Sequence, residues 1–539
     1  MKNNTYKFSV FFLFIFISFI FPYSAHALEK IDVTTIDPQA TGYGTFQSNN
    51  QKVVANQYGI FVTYLHSRNE AYDQNTWRLS RSTDGGKTFS TIYENINGTS
   101  APVIETDTQG NIYLAHPDWG IGYTQTYALF YIFTPSNNFT NPTISQIPNS
   151  ASGKYAMMID EPRGQLYFLA HNGTFSVLGL NGDVRKNYEL LTGGSSAYQM
   201  YSYLYLNVNG DLYVAWTTQK KDKYMYWDIH FMLSKDGGLT WQKPNGQTLT
   251  SPVVSDETGP TDRITLNDEF DVHSWLWTII VKNGKAHFAY MAQFPLPNTR
   301  QHYVRYDLST AQKDLDIYPV WKGEIISFLN LDGFCATHVS QSDFPIYCIS
   351  RSYPDLHLGV LVSYDNGTNW HDYAVSDFND QNLYSIGGAR EITSDGYIIG
   401  SYTDARDPFP VRFFRIKANG LQSTPTPNPA CVCQTNNSCS AGCVFDTIAN
   451  VSYSNLIKCN LSSSLFLVYP DSNHKTTWCN RQKKTRGDAD GNGIVDLSDY
   501  YFYVGAVFGG KIPPNVNPDF NGDGEVGRAD LDILKQSLN

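Results

Sequence analysis

The chain has 539 residues but little charge, since Asp, Glu, Lys and Arg together make up only 17% of it. It has no basic excess, because 39 Lys and Arg stand against 50 Asp and Glu, a net charge of -11. Such a balance offers no broad positive surface for nucleic acid or for an acidic membrane. No apolar run long enough to span a bilayer follows the N-terminal segment. We therefore expect no nucleic-acid partner, and attachment to a cell only through another protein.

The N-terminal segment has the features of a secretory signal. Lys2 and Lys7 precede an apolar run over residues 8–21, and Ala25-His26-Ala27 supplies the small-x-small pattern that a signal peptidase cleaves. An uncleaved anchor is the alternative, although the run is short for a span of about 20 residues. The pattern predicts a signal peptide at residues 1–27 and a secreted, extracellular protein that starts near residue 28.

Cysteine is scarce in most of the chain, where only Cys335 and Cys348 precede residue 430. The other six crowd together, and after secretion such a cluster predicts three disulfides whose pairing the spacing does not fix. A zinc site is the alternative, because two of the gaps between these cysteines are similar to ligand spacings. The six cysteines are Cys431, Cys433, Cys439, Cys443, Cys459 and Cys479.

Aromatic residues reach 14%, and many belong to one repeated phrase: a hydrophobic strand, a turn on Gly, and a strand rich in Tyr, Val and Ala. The interval between the last two turn glycines, Gly284 and Gly396, is 112 residues, which corresponds to two repeat lengths. Strands around residues 334–350 supply the repeat that belongs between them. Seven hairpins predict an all-β propeller over residues 28–420. Six blades are possible if one hairpin is an insertion, and a β-sandwich ranks second. The glycines are Gly59, Gly110, Gly164, Gly210, Gly284 and Gly396.

A second repeat follows the pattern Ser-x-Asp-x-Gly-x-Thr-Trp, around Asp84, Asp236 and Asp365. The Asp can accept backbone N–H groups across a turn, and the aromatic ring that follows can pack between sheets. The repeat resembles the Asp-box of BNR-repeat, sialidase-like propellers. That resemblance implies architecture rather than catalysis, because these boxes staple turns away from the active face.

The C-terminal part divides into three segments: a Pro/Thr linker at 421–430, the Cys-rich segment at 431–486, and residues 487–539, which contain the same twelve-residue loop twice. Oxygen side chains at loop positions 1, 3, 5 and 12, a Gly at position 6 and the backbone carbonyl at position 7 form a calcium-binding pattern. The predicted ligands are Asp488, Asp490, Asn492, Ile494 and Asp499 in the first loop, and Asp519, Asn521, Asp523, Glu525 and Asp530 in the second.

Position 12 is Asp in both loops, no entering helix precedes the first, and apolar residues at helical spacing follow each. This duplicated loop-helix unit resembles a type I dockerin. The resemblance implies a small α-helical module that holds two calcium ions and docks onto a cohesin domain. It also implies that Leu497, Ser498, Arg528 and Ala529, at loop positions 10 and 11, face the cohesin. The two pairs differ, which argues against symmetric docking in two orientations.

Candidate catalytic residues come from the propeller. Sialidases clamp a carboxylate with three arginines, but the Arg-Ile-Pro motif that carries the first arginine is absent, so sialidase activity is not expected. Arg263, Arg305 and Arg390 could still converge on the axis and bind a carboxylate, because arginine recognises carboxylates bidentately. Ordinary surface salt bridges are the alternative for all three.

The densest polar stretch, residues 262–275, offers acids, a base and a stacking ring: Asp268, Glu269, Asp271, His273 and Trp275. In a neighbouring stretch, strand alternation predicts that Tyr226, Asp228 and His230 share one face. Ordinary core packing is the alternative for these groups. The predicted polar pocket consists of Arg263, Asp271, His273, Arg305 and Arg390.

Two functions fit this organisation. One is a secreted polysaccharide-degrading enzyme, a glycoside hydrolase or lyase, held on a cohesin-bearing scaffold by its tail. The alternative is a non-catalytic propeller that binds a glycan or a protein and is delivered in the same way. Dockerin-bearing proteins mostly degrade polysaccharides, which favours the enzyme by association.

Overall fold

The computed structural model describes residues 28–418 with short gaps, together with four strands between residues 443 and 479. The gaps are 47–49, 71–73, 97, 99, 118–125, 151–154, 195–196, 223–224, 270–271, 294–298, 322–323, 326–332, 339–343, 352–356, 378–382 and 405. The chain divides into two compact units, residues 1–420 and 421–539.

Seven antiparallel blades, called blades 1 to 7, make up the described part of the first unit; each has four strands except blade 4, which has six. The first strand, β1 (Glu29–Asp37), belongs to blade 7. Blade 1 contains β2 (Val53–Asn56), β3 (Gly59–Ser67), β4 (Asn75–Ser82) and β5 (Ser90–Asn95). Blade 2 contains β6 (Val103–Thr106), β7 (Ile112–Pro117), β8 (Tyr127–Phe133) and β9 (Thr143–Pro148). Blade 3 contains β10 (Tyr155–Asp160), β11 (Gln165–Ala170), β12 (Thr174–Gly179) and β13 (Val184–Glu189).

Blade 4 is the most elaborate. A two-residue strand, β14 (Leu191–Thr192), precedes it and pairs in parallel with β20 (Val253–Val254). The blade contains β15 (Ala197–Leu206), β16 (Leu212–Lys220), β17 (Tyr226–Ser234), β18 (Trp241–Gln242) and β19 (Thr248–Leu249). Strand β21 (Asp262–Arg263) also pairs with β17.

Blades 5 to 7 complete the circle. Blade 5 contains β22 (His273–Lys282), β23 (Lys285–Gln293), β24 (Thr299–Asp307) and β25 (Gln312–Ile317), followed by the hairpin β26 (Val320–Trp321) and β27 (Glu324–Ile325). Blade 6 contains β28 (Phe334–Ala336), β29 (Ile346–Arg351), β30 (Leu358–Ser363) and β31 (His371–Ser376). Blade 7 contains β32 (Leu383–Gly388), β33 (Tyr397–Asp404) and β34 (Val411–Lys417). Three 3-10 turns lie at Pro135–Asn137, Glu161–Arg163 and Asn267–Glu269.

Strand β1 closes the ring from the N-terminal end. Its second half pairs antiparallel with β34, for example Val33 with Phe414, and so becomes the fourth strand of blade 7. Its first half pairs in parallel with β31 of blade 6, for example Lys30 with Val375. One strand therefore joins the last two blades, and the prediction of a seven-bladed all-β propeller is confirmed.

Both faces of each sheet are buried, because alternate residues of a strand pack against the two neighbouring blades. In β3, Phe61 and Leu65 pack in the core between blades 1 and 2, whereas Val62 and Tyr64 pack in the core between blades 1 and 7. This explains the near-continuous apolar and aromatic strands of the sequence. Within blade 6, the register partners Cys335 and Cys348 form a disulfide.

The three Ser-x-Asp-x-Gly segments form the turns that their pattern predicts. Asp84 accepts the backbone N–H of Thr88 at 3.0 Å, and Asp236 and Asp365 accept the equivalent N–H groups. The aromatic ring that follows each box packs on a ring of the preceding blade: Phe89 on Phe413, Trp241 on Phe175, and Trp370 on Tyr303. The boxes thus tie blades together at the turn between their third and fourth strands.

In the second unit, the described residues form one antiparallel sheet of β35 (Cys443–Val444), β36 (Ile457–Leu461), β37 (Ser464–Pro470) and β38 (Thr477–Cys479). Cys443 and Cys459 are register partners in it. The predicted disulfides of this segment and the predicted helical module at 487–539 lie outside the described residues. Within the part that the structure describes, no helix is long and apolar enough to cross a membrane.

Candidate functional site

The first strands of successive blades pack side by side in a ring around the propeller axis. All of them start at the same end of the propeller, which we call the upper face; the three Ser-x-Asp-x-Gly turns lie at the opposite, lower face. The upper face also carries the connections between the second and third strands of each blade. Side chains at the starts of the first strands are therefore close to the axis and to this face.

An imidazole and three aromatic rings meet at the upper face between blades 4 and 5. His273 is the first residue of β22, and Trp275 lies two residues further on the same side, with the two rings stacked at 5.7 Å between centroids. From blade 4, the Tyr226 ring lies 5.1 Å from His273 and 4.2 Å from Trp275. Tyr201 lies 4.4 Å from Trp275, and its hydroxyl is 3.4 Å from that of Tyr226. We call these four residues the aromatic-histidine group.

A bulge in the innermost strand of blade 4 places Tyr201 in this group. The register of β15 against β16 shifts between Met200 and Tyr203, and Tyr201 has a φ of 46°. A positive φ is rare for a bulky residue, and bulges re-aim side chains next to functional sites. Ser385, in the innermost strand of blade 7, has a φ of 52° within a similar register shift. Strained backbone therefore recurs on the strands that surround the axis.

Burial sets the charge state of the group. Burial lowers the pKa of His273 to about 4, so its imidazole is neutral at neutral pH. A neutral imidazole has a lone pair that can accept a proton, and a tyrosine hydroxyl can donate one. The group can therefore serve as a base and an acid side by side.

An exposed aromatic rim adjoins the group. The half-buried ring of Phe46 is 6.4 Å from that of Tyr201, and Tyr43 packs edge-on against Phe46 at 5.8 Å. Tyr43 is 60% exposed, although an aromatic ring loses favourable burial in that position. This rim is an exposed aromatic surface beside the aromatic-histidine group.

Arg390 lies near the axis but is buried. It follows β32 of blade 7, and its Nη1 donates to Oε1 of Glu105 in blade 2 at 2.6 Å. Its Nη2 donates to the Met157 carbonyl in blade 3 at 2.6 Å, and its guanidinium lies 5.9 Å from the Tyr203 ring of blade 4. Burial opposes its charge, but Glu105, Tyr203 and Glu391 together outweigh burial and raise the pKa of Arg390. Arg390 thus reaches across the axis.

The other predicted arginines have separate surroundings. Arg305 hydrogen-bonds to Asp314 and to the Asn366 carbonyl of a Ser-x-Asp-x-Gly turn, so its contacts are at the lower face. Arg263 hydrogen-bonds to Asn267 and lies 3.8 Å from Asp228 in blade 4.

The three arginines therefore do not converge, since each has its own partners in a different part of the propeller. Of the predicted pocket, only His273 lies in the aromatic-histidine group. Asp271 lies outside the described residues.

Glu269, in the polar stretch that leads to His273, is a buried structural group. Glu269 is bonded by His302 Nδ1 at 2.5 Å, by the Tyr290 hydroxyl at 2.6 Å and by the Leu266 N–H at 2.8 Å. Burial on its own would raise the pKa of Glu269. The hydrogen bonds and the charge of His302 more than offset burial, so the net pKa is lowered. Glu269 is therefore ionised and anchors the segment that leads into His273. The sequence had suggested a role as acid or base for this residue.

The expectation that Tyr226, Asp228 and His230 share one face is wrong. Strand β17 has a register shift against β16 at Asp228, whose φ is 51°. The extra residue interrupts the alternation. Tyr226 therefore packs towards blade 5 against Trp275, while His230 stacks on Trp216 in the core between blades 3 and 4.

Sequence reasoning missed Tyr201, Phe46 and Tyr43. The alternating tyrosines at positions 201, 203 and 205 were a usable signal for a strand at the axis, but nothing local marks the bulge. Among the described residues, no cluster of His, Cys, Asp and Glu could hold a metal ion. The ten predicted calcium ligands, from Asp488 to Asp530, and the four predicted cohesin-facing residues lie outside the described residues.

No protein-family model matches the chain, and no curated protein matches it. Among solved structures, the chain is similar to a polysaccharide lyase described as a PL25 ulvan lyase, with a TM-score of 0.52 and 12% identity over 70% of this chain and 94% of the lyase. It is also similar to a PL25 ulvan lyase bound to -[GlcA(1-4)Rha3S]-, with a TM-score of 0.51, 12% identity and the same coverage. At this identity the likeness shows a common fold.

Proposed function

We propose that the propeller is a polysaccharide-degrading enzyme that acts at its upper face, around His273. The observation that carries the proposal is the packing of a neutral imidazole against the Tyr226 ring, 5.1 Å from His273, with the Tyr201 hydroxyl 3.4 Å from that of Tyr226. This group lies beside an exposed aromatic rim, and aromatic faces are surfaces on which sugar rings stack. Base, acid and a sugar platform therefore occur together.

The proposed reaction is an elimination on a uronic-acid-containing polysaccharide, in keeping with the ulvan lyases that share the fold. A base removes the proton from the carbon next to the carboxylate, the C–O bond to the neighbouring sugar breaks, and a C=C bond forms. The departing oxygen takes up a proton. In this scheme His273 accepts the first proton, and the hydroxyl of Tyr226 or Tyr201 provides the second.

We further propose that the protein is secreted and that residues 487–539 bind two calcium ions and a cohesin domain. The donor set supports this, because both loops place hard oxygen ligands at the positions that calcium requires. Leu497, Ser498, Arg528 and Ala529 would contact the cohesin. Calcium would order the loops, while the propeller carries the chemistry.

The test is an activity screen with the full mature chain. Glucuronate-containing polysaccharides should yield products with the ultraviolet absorbance of an unsaturated sugar, whereas neutral polysaccharides should not. His273→Gln should reduce kcat about 10²- to 10⁴-fold, the usual contribution of a general base. The matched control is His371→Gln, because His371 is exposed on the outer strand of blade 6. New reducing ends without unsaturation would point to a hydrolase instead.

The exposed rim also favours a second candidate, a non-catalytic glycan-binding propeller. In that case polysaccharide binds without turnover, and Tyr43→Ala weakens binding while His273→Gln leaves it unchanged. Binding without turnover across the whole panel would contradict the enzyme.

A further inference from the structure

Gln219 lies beside Tyr226 on the face of blade 4 that is turned towards blade 5. The two residues are opposite partners in β16 and β17. Opposite residues of an antiparallel pair point to the same face of the sheet, with about 5 Å between their Cβ atoms. On that face the Tyr226 ring packs against His273 and Trp275 of blade 5. The Gln219 side chain therefore adjoins the aromatic-histidine group.

A hydrogen bond between the two blades gives the same orientation independently. Thr217 is two residues before Gln219, so both side chains point to the same side of β16. The Thr217 hydroxyl oxygen accepts the backbone N–H of Leu276 in β22 at 2.9 Å. From this contact, β16 continues to its end at the upper face, and β22 leads back to its start at the same face. Gln219 and His273 therefore lie close together at the upper edge of the interface between blades 4 and 5.

The side-chain amide of Gln219 is open to a ligand. Like His273, Gln219 is half-buried, so solvent reaches both side chains. The amide has no hydrogen-bond partner among the described residues, whereas the Thr217 hydroxyl on the same face has one. Taking a polar group partly out of water without a partner costs free energy. Its Nε2 carries two N–H donors, so a ligand with acceptor oxygens would supply the missing partner.

The proposed elimination needs donors at this place. When the base removes the proton from the carbon next to the carboxylate, negative charge spreads onto the carboxylate oxygens. Donors aimed at these oxygens stabilise the transition state more than the bound substrate. Arg263, Arg305 and Arg390, which the sequence suggests for this task, are hydrogen-bonded elsewhere. The carboxylate is attached to the carbon that loses the proton, so its donor must lie beside His273, as Gln219 does.

We infer that Gln219 recognises the uronate carboxylate through the N–H groups of Nε2 and thereby sets the preference of the upper face for an acidic sugar. The inference rests on the proposed elimination and deepens it. The C–H bond gives its proton to His273, its electron pair forms the C=C bond as the C–O bond breaks, and a tyrosine hydroxyl gives a proton to the departing oxygen. Gln219 transfers no proton and holds the carboxylate throughout.

The experiment compares a glucuronate-containing polysaccharide with its methyl ester, using the full mature chain. Gln219→Leu removes the donors, so kcat/KM should fall about tenfold on both substrates, because both present acceptor oxygens. Gln219→Glu also removes the donors, but it adds a negative charge on a side chain of nearly the same shape. That charge repels the free carboxylate and not the uncharged ester. The acid-to-ester ratio of kcat/KM should therefore fall about tenfold or more in Gln219→Glu and change much less in Gln219→Leu.

Gln312→Glu is the matched control, because Gln312 is an exposed glutamine at the start of β25, on the lower face. It introduces the same charge far from the aromatic-histidine group and should leave both values of kcat/KM unchanged. Urea unfolding shows whether each variant is folded. A variant that merely disturbs the packing of Tyr226 would lose activity on the acid and the ester alike, so the ratio separates recognition from structure.

Binding measurements separate a failure of this inference from a failure of the proposed function. If the parent cleaves the acid polymer and Gln219→Glu keeps the parent's acid-to-ester ratio, the elimination stands and the inference is wrong. If the parent binds without cleaving, calorimetric Kd values replace kcat/KM. A selective loss of affinity for the acid in Gln219→Glu then supports carboxylate recognition although the enzyme is wrong, and an unchanged ratio overturns both. If the parent neither binds nor cleaves either polymer, both are wrong.

Discussion

Glu105 of blade 2 and Arg390 of blade 7 form an ion pair across the propeller axis, with 2.6 Å between Oε1 and Nη1. Both side chains are almost completely buried. Gln51 of blade 1 completes the connection, because its amide donates to Glu105 at 3.2 Å and its carbonyl oxygen accepts the Arg390 backbone N–H at 3.0 Å. The pair therefore joins the two blades that flank blade 1, and we assign it to stability rather than to chemistry.

Glu105→Gln should destabilise the propeller by about 3–5 kcal/mol, because it leaves the buried Arg390 charge without a counter-charge. The double variant Glu105→Gln with Arg390→Met should lose less, since no buried charge remains. Urea unfolding of the three proteins measures the difference. Equal losses in the single and double variants would show that the ion pair carries no stability of its own.

The proposed base predicts an unusual pH profile. Burial lowers the pKa of His273 to about 4, against about 6.5 for an unperturbed histidine. kcat/KM should therefore stay constant as the pH falls through 6.5 and should decline with a midpoint of about 4. A midpoint near 6.5 would exclude His273 as the base. The control is the same profile for His371→Gln, which should superimpose on that of the parent.

The same shift links His273 to stability. Between pH 6.5 and about 4 the unfolded chain binds a proton at this residue that the folded chain does not, so stability falls as the pH drops through that window. His273→Phe removes the linkage. Its unfolding free energy relative to the parent should therefore rise as the pH is lowered from 6.5 to 4.

The repeat architecture was predictable because each blade carries its own local signal. Gly110 and Gly210 form tight turns between first and second strands with φ of 84° and 78°, a region that favours glycine. The member missing from the glycine series was expected around 334–350, and β28 and β29 occupy that place. The closure by β1 was not predictable, since Val33 pairs with Phe414 across almost the whole propeller and no local pattern encodes that register.

The candidate site was predictable only in part, for a similar reason. His273, Trp275 and Tyr226 were in polar or aromatic stretches that could be recognised locally. Tyr201 reaches the group through a bulge, and the arginines go to partners that are distant in sequence: Arg390 is paired with Glu105, 285 residues away. Spacing along the chain does not show which blade a long side chain will reach.

Asp228 offers a test of buried charge in blade 4. Burial raises its pKa to about 6, so the folded chain keeps a proton that the unfolded chain loses from about pH 4 upwards. Stability is therefore lost as the pH rises from about 4 through 6. Asp228→Asn should remove that loss, and its amide oxygen can still accept the Thr265 hydroxyl that Asp228 accepts at 3.0 Å. Asn also tolerates the φ of 51°.

We expect Asp228→Asn to stabilise the protein above pH 6 by on the order of 2 kcal/mol, since each unit of pKa shift corresponds to about 1.4 kcal/mol. Below about pH 4 the variant and the parent should have equal stability. Urea unfolding at both pH values measures this. A stability gain of the same size at both pH values would mean that the carboxylate charge of Asp228 is not the cause.

The last prediction concerns calcium binding by residues 487–539. Asp488→Ala combined with Asp519→Ala removes the position 1 ligand from both loops, and a site that forms only with its metal contributes the binding energy to folding. In the parent, chelation should reduce the helical circular dichroism signal and abolish cohesin binding, and calcium should restore both. The circular dichroism signal and the cohesin binding of the double variant should be the same with and without calcium. Asp532→Ala, just beyond the second loop, is the control and should respond like the parent. A parent signal that chelation leaves unchanged would refute a calcium-dependent tail, and the proposed docking would then lose its physical basis.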